Sequence, residues 1–331
     1  MNTPQKTILA LGVAGLAAPF SAFGLNTSDL TAYIGSAYLG AETVRQSGDF
    51  NRGLLSSSQG VSLGGAYGDH ESDEGSDRRF DADFDVTTAS LGYVHEFEEF
   101  KLVASLTYVD TDFSSDGTDT NPNVSLDTDG DGFFFALGAA KTWDKLEILL
   151  QGGAGKLSLD SERVNGSFNQ KSSDYDVSLY YFSVTAQYDL YQSDAFGVKP
   201  FVELGYMSLE NDGFSETDSP DTVSVKSFED EVPYVQAGAD FEYLGFENLS
   251  PYLLLAVWHD FGDDSVDIKG TDPVDAPYAT EVPDAAEALW SATLGLGYSV
   301  AENFDVDALV GIYTSDDLSG TYVGLVGTFT F

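Results

Sequence analysis

The chain has 331 residues, with 34 Gly, 18 Tyr and 23 Phe against 2 Met, 10 Pro and no Cys. No cysteine excludes a disulfide framework and a thiolate metal site. The formal net charge is -41, from 55 acidic and 14 basic residues. It excludes nucleic acid as a partner, because binding there needs cations to neutralise phosphates. It likewise excludes docking to an anionic leaflet through basic patches. The acid can be a solvated surface or a collector of Ca²⁺ and Mg²⁺.

Residues 1–24 read as a secretory signal peptide, with Lys6 as its positive start and Ile8 to Ala18 as its apolar stretch. That stretch is too short to span a bilayer as a helix. Ala22 and Gly24 are small at the positions that precede a cleavage after Gly24. No second apolar run of about 18 residues follows, so the product is expected to be exported with no helical anchor. Residues 25–60 form a separate N-terminal segment. Ser28 can cap a helix there, and Leu30, Tyr33, Ile34, Ala37, Ala41 and Val44 recur at helical spacing. The expected helix covers 29–45, and a strand through Tyr33, Ala37 and Leu39 is the alternative.

From Val61 onward the pattern is that of strands separated by turns. The segments are 61–68, 84–96, 100–110, 132–142, 145–158, 176–190, 198–210, 232–243, 250–261, 288–300, 303–314 and 320–331. Most match a tilted membrane-spanning strand of about 9–11 residues. Alternation is clearest near the end. Phe304, Val306, Ala308, Val310 and Ile312 share one face, opposite Asp305, Asp307 and Tyr313. In the closing strand Val323, Leu325, Phe329 and the terminal Phe331 oppose Tyr322, Thr328 and Thr330. Apolar outward and small or polar inward is the signature of an outer-membrane strand.

The connections at 97–99, 143–144, 191–197, 244–249 and 301–302 are short. Those at 69–83, 111–131, 159–175, 211–231 and 262–287 are long and acidic, with 315–319 the one short exception. Outer-membrane barrels have short periplasmic turns and longer external loops, and an even strand number. A thirteenth strand at 31–43 would invert that order, which leaves 25–60 helical or irregular, in the lumen or at its periplasmic mouth. The expected fold is all-β, a transmembrane antiparallel β-barrel of about twelve strands over 61–331. Its expected location is the outer membrane, with membrane lipid and the β-barrel assembly machinery as partners, the latter through the strand ending in Phe331.

Several stretches resemble the C-terminal β-domain of autotransporters. They are Lys199-Pro200-Phe201-Val202-Glu203-Leu204-Gly205-Tyr206, Gly213-Phe214-Ser215-Glu216 and Pro251-Tyr252. Then come Ala256-Val257-Trp258-His259-Asp260-Phe261-Gly262-Asp263-Asp264, Leu294-Gly295-Leu296-Gly297-Tyr298, Asn303-Phe304-Asp305-Val306 and the final strand. The resemblance implies a twelve-stranded translocator barrel. Two features depart from the family. Only residues 25–60 stand where a long passenger would, and Thr328 and Thr330 occupy the region where a basic residue is usual.

Candidate sites are few. Asp127, Asp129 and Asp131 begin like an EF-hand calcium loop, D-x-D-x-D-G, but Gly138 stands where the chelating Glu belongs. A surface calcium site and a solvated Asp/Gly turn are the two readings, and no other cofactor is expected. A hydrolase would need a Ser activated by His, and His70-Glu71-Ser72 is the nearest approach. An acid–His protease would draw on Asp81, Asp83, Asp85 and His259. No catalytic function is expected from either set. Charge facing lipid is costly, so Glu96, Glu147, Asp189, Glu203, Asp240, Glu242, Asp305 and Asp307 are expected in the lumen, against Lys101. Such a lumen would favour cations over anions. The function expected is a translocator or cation-preferring pore. The alternative is a non-conducting surface barrel, structural or adhesive, acting through its acidic loops.

Overall fold

The computed structural model describes residues 35–55, 57–72, 82–115, 124–165, 170–217, 224–261, 265–271, 277–283, 289–314 and 318–331. The expected signal peptide with Lys6, Ala22 and Gly24, the expected cap at Ser28, and Leu30, Tyr33 and Ile34 lie outside these residues.

A helix, α1 (Gly35–Leu55), precedes the strands. The strands are β1 (Gly60–Ser72), β2 (Ala82–Glu96), β3 (Lys101–Ser115), β4 (Val124–Trp143), β5 (Leu146–Asn165) and β6 (Gln170–Tyr188). They continue with β7 (Tyr191–Gln192), β8 (Phe196–Asn211), β9 (Phe214–Ser215), β10 (Ser224–Val225), β11 (Phe228–Tyr243) and β12 (Leu249–Asp260). The last are β13 (Ser265–Thr271), β14 (Pro277–Pro283), β15 (Leu289–Ala301), β16 (Phe304–Thr314) and β17 (Leu318–Thr330). Among the described residues twelve of these, β1–β6, β8, β11, β12 and β15–β17, form one closed antiparallel barrel. β1 pairs with β17 from Gly60 opposite Thr330 to Ser72 opposite Leu318. That pairing leaves no free edge, which a sheet in lipid requires. The Phe331 amide donates to the Gln59 carbonyl at 3.3 Å, tying the final residue to the start of β1.

Burial follows the period of two. On β3, Val103, Thr107, Val109 and Phe113 are buried inside, while Leu102, Leu106 and Tyr108 are exposed outside. The same outward band carries Phe133, Phe135 and Leu137 on β4 and Leu294 and Leu296 on β15. On β17 it carries Val323, Leu325 and Phe329. Glycines seat lumen-facing aromatic rings: Gly205 lies under Tyr234, Gly295 under Tyr252 and Gly311 under Tyr322.

The long connections of the acidic half are largely strand. β3 continues to Ser115 and β4 begins at Val124, so much of 111–131 is paired ladder. The cause is the same alternation: Thr111, Phe113, Leu126 and Thr128 are buried while Asp112, Asp127 and Asp129 point outward. An Asp/Gly/Ser-rich composition read as turn conceals a strand whose inner face is apolar. The first strand, expected over 61–68, likewise extends to Ser72.

β9, β10, β13 and β14 form a separate four-stranded sheet at the end away from the short turns. Phe214 of β9 stacks on Tyr175 of β6, 4.5 Å between ring centres. Arg163 of β5 donates to both carboxylate oxygens of Glu216 at 2.6 and 2.8 Å, and both side chains are fully buried. The segments after β8 and β12 therefore fold back onto the outer mouth as a lid.

Candidate functional site

The described side chains of α1 are almost all buried. Leu39, Glu42, Thr43, Val44, Gln46, Ser47, Asp49, Asn51, Arg52, Leu54 and Leu55 all lose nearly all their exposure. The helix therefore occupies the lumen rather than lying on a surface. It continues past the expected end at 45 to Leu55. Residues 46–55 have no strict apolar stripe, and a helix enclosed by a partly polar wall needs none. Ser57 ends it by donating from its amide and its hydroxyl to the Leu54 carbonyl at 2.9 and 2.8 Å.

Three anchors hold the helix. Near its N-terminal half, the Gln46 amide donates to Glu42 at 2.7 Å and to the Val86 carbonyl at 3.3 Å, and accepts from Thr88 at 2.8 Å. In the middle, Asn51 donates to Gln151 at 3.4 Å and accepts from Ser105 at 3.2 Å. The third anchor is ionic. Arg52 Nη1 donates to Glu203 Oε2 at 2.6 Å, and Arg52 Nη2 pairs with Asp49 one turn back on the helix. Glu203 also accepts from Thr185 at 2.7 Å and from Tyr234 at 2.9 Å. Burying two charges is tolerable only when their remaining hydrogen-bond positions are filled. Here Thr185, Tyr234 and Asp49 do that. Below, Leu54 and Leu55 pack with Val94, Val103, Ala140 and Leu149.

Toward the long connections Val109, Phe113, Leu126, Leu159, Leu179 and Trp258 are buried in one cluster that includes Leu39 and Val44 of the helix. Toward the short turns the wall carries Glu147, Asp240, Asp305 and Asp307 beside the apolar cluster of Leu54 and Leu55. A cavity of about 60 Å³ lies between α1 and the wall, lined among others by Asp49, Ser90, Asp307 and Thr328.

The expected luminal acids share the inward face of their strands. Glu203, Asp240 and Glu242 are buried, and Glu147, Asp305 and Asp307 are half-buried. Thr142 donates to Glu147 at 3.2 Å, and Ser299 donates to Asp305 at 2.7 Å. Asp189 is a correction in part: β6 ends at Tyr188, so Asp189 sits in the turn, 3.8 Å from Lys199. Glu96 is exposed at the mouth, 3.7 Å from Lys101. Sequence reasoning placed Glu203 in the lumen but missed Thr185 and Tyr234, whose inward parity on β6 and β11 was readable.

Asp127, Asp129 and Asp131 stand on one outward face of β4, where strand geometry spaces them apart rather than wrapping them round a point. Among the described residues no group of three carboxylate or imidazole side chains converges to hold a metal. The acids instead line up across strands. Asp69 lies opposite Asp85, Asp85 opposite Asp112, Asp112 opposite Asp129, Asp129 opposite Asp160 and Asp160 opposite Asp174. This row lies just beyond the outward Tyr108 and Phe133. Like charges directly opposite are destabilising. Burial and then Asp129 raise the Asp112 carboxyl above the ordinary range, and a hydrogen bond with Asp174 does so first for Asp160.

Of the hydrolytic candidates, the side chain of Ser72 lies outside the described residues. His70 is buried in the lumen while Glu71 is exposed outside. His259 packs edge-on against Phe261 on β12, several strands from Asp83 and Asp85 on β2. Asp81 lies outside the described residues.

A closed twelve-stranded barrel with an apolar outer band and a helix threaded through its lumen defines a membrane barrel of translocator type. The sequence matches the autotransporter beta-domain family over residues 61–311, most of the barrel, and the chain belongs to that family. The translocator domain of autotransporter NalP from Neisseria meningitidis superposes with a TM-score of 0.73 at 15% identity, covering 91% of this chain and 99% of that one. The transport unit of AIDA-I from Escherichia coli gives 0.64 at 9% identity, covering 93% and 100%. The toluene transporter TodX from Pseudomonas putida gives 0.51 at 10% identity, covering 84% and 90%. At these identities the likeness is one of fold. No curated protein sequence matches the chain. Family and architecture together place the protein in the outer membrane.

Proposed function

We propose that the protein is an outer-membrane translocator barrel that retains its own helix as a plug and is closed at rest. The observation that carries this reading is the Arg52–Glu203 pair, which fixes a helix inside the lumen beneath the cluster of Leu126, Leu159 and Trp258. Residues 1–24 act as the cleaved export signal. Phe331 and the strand before it engage the assembly machinery, and the outward apolar band meets membrane lipid. When the plug is displaced, Glu147, Asp240, Asp305 and Asp307 favour cations along the lumen wall. The protein needs no cofactor for this, and it is not an enzyme in this reading.

The test is planar-bilayer conductance of refolded protein. Wild type should be nearly silent, and Arg52→Ala should open more often with reversal potentials that favour K⁺ over Cl⁻. Equal activity in the two proteins would remove the plug from the account.

The row of outward aspartates favours a second reading, a surface barrel whose extended acidic wall contacts basic partners or cations. Replacing Asp85, Asp112, Asp129 and Asp160 with Asn would abolish surface adhesion under that reading and leave plug behaviour unchanged.

A further inference from the structure

The sequence puts two glycines on the inward face of β15. Gly295 and Gly297 point into the lumen, while Leu294, Leu296 and Tyr298 point outward. With no side chain of its own there, β15 is covered from its two neighbours. From β12 the Tyr252 ring lies over Gly295, where an added Cβ would fall within the ring. From β16 the Asp307 carboxylate lies over Gly297, its Oδ1 2.8 Å from the place of a Cβ. Glu242 of β11 stands directly opposite Tyr252 on the other side. A phenol and two carboxylates from three strands thus meet over one trough in the lumen wall.

Tyr252 is 3% exposed, and its hydroxyl has no hydrogen-bond partner. The charges that act on it are those of Asp307, Asp240 and Glu242. Glu242 acts on Asp307 in turn. Asp240 faces Lys199 of β8 in register, and Lys199 also lies 3.8 Å from Asp189. Among the described residues neither Glu242 nor Asp307 makes a hydrogen bond or an ion pair. A buried hydroxyl without a partner is rare in folded proteins, and a bound ion or water is its common explanation. α1 packs against β1–β6 and β8, so the trough lies on the wall across from its anchors. The cavity beside the helix is lined by Asp307, so the trough opens on space that α1 does not fill.

The number of acceptors selects the guest. A primary ammonium carries three N–H donors and no acceptor. The trough offers acceptors on three strands, two of them charged. A guanidinium is a planar fork suited to one carboxylate taken bidentately. A divalent ion needs acidic side chains gathered to a point, and among the described residues no such group of three forms. We propose that the trough of Glu242, Tyr252 and Asp307 binds a primary alkylammonium, the head group shared by small amines and lysine side chains. This site belongs to the cation-favouring lumen of the proposed function and rests on that reading.

The test is calorimetric titration of the refolded full chain at constant ionic strength. The probes are n-butylammonium, tetramethylammonium, which has the charge but no N–H, and a short glycine peptide with one lysine, blocked at both ends. Butylammonium should bind saturably, and tetramethylammonium roughly tenfold more weakly or worse, because it cannot donate. Tyr252→Phe and Asp307→Asn should each weaken butylammonium on the order of tenfold, the factor a hydrogen bond to a charged group is worth. Tyr252→Phe keeps the ring over Gly295, so its heat resistance on electrophoresis should stay that of the wild type. Glu242→Gln is the further variant if Asp307→Asn does not fold. A lysine peptide that competes with butylammonium would assign the head group to a polypeptide in the lumen, and butylammonium binding alone would assign it to a free amine. Both results support the trough. Equal binding of the two ammonium ions, binding that no variant changes, or no saturable binding would each overturn it. The cation preference of the lumen is read separately, from reversal potentials of the Arg52→Ala barrel, so the two failures are told apart.

Discussion

Arg52 of α1 and Glu203 of β8 lie 151 positions apart in the chain and meet at 2.6 Å inside the lumen. Both are almost wholly buried. Removing one partner leaves a buried charge, at a cost of about 3–5 kcal/mol, whereas replacing both with apolar residues is often nearly neutral. Arg52→Ala and Glu203→Gln should therefore each destabilise the folded barrel in urea titrations, while Arg52→Met with Glu203→Met recovers part of the loss. Recovery stays partial because Asp49, Thr185 and Tyr234 keep their places around the pair. Additive losses would mean that the two side chains do not act as one unit.

The glycine beneath Tyr322 offers a packing test. A Cβ on Gly311 would fall within the Tyr322 ring, whose hydroxyl is hydrogen-bonded to Thr293. Gly311→Ala should cost about 1–3 kcal/mol, the usual penalty of overpacking. The measurement is loss of heat resistance on electrophoresis. Gly311→Ala combined with Tyr322→Ala should restore much of it.

Across the outward aspartate row, folding raises the carboxyl groups of Asp112 and Asp160 above the ordinary value of 3.8. The stability these groups contribute is present below their folded-state titration and is lost as pH rises through it. The outer extensions of β2–β6 should thus resist added protease better near pH 4 than near pH 8. High salt should narrow the gap by screening exposed charge. Greater resistance at pH 8 in low salt would contradict the register of the row.

Much of the barrel was legible because its code is local. A side-chain period of two, read strand by strand, gave twelve segments in the right order and put Glu203, Asp240 and Asp307 inside. What was not legible depends on what lies across the lumen. Asp127, Asp129 and Asp131 look like turn residues until Leu126 before them and Thr128 between them are seen to be buried. The helix was expected to end too soon because Gln46 to Leu55 lack an apolar stripe, and the polar wall that satisfies them is distant in sequence, as Val86 and Thr88 are from Gln46. The lid was invisible because its short strands pair across two separate connections, as Ser224 with Thr271.

The final residue should matter more than its size. Phe331 is exposed on the outside, and its amide bonds to Gln59 beside the seam between β1 and β17. Deleting it should lower the amount of folded protein in outer-membrane fractions, because that seam must close before the barrel is stable in lipid. Undiminished levels would detach Phe331 from assembly.

The most direct measurement is bilayer conductance of protein lacking residues 25–57, compared with the protein that retains them. Removing the helix takes away Gln46, Asn51 and Arg52 and leaves every barrel strand intact. The account predicts a barrel that still assembles and now conducts steadily, with cations preferred. Conductance equal to that of the uncut protein would place the helix outside the conduction path and contradict the account.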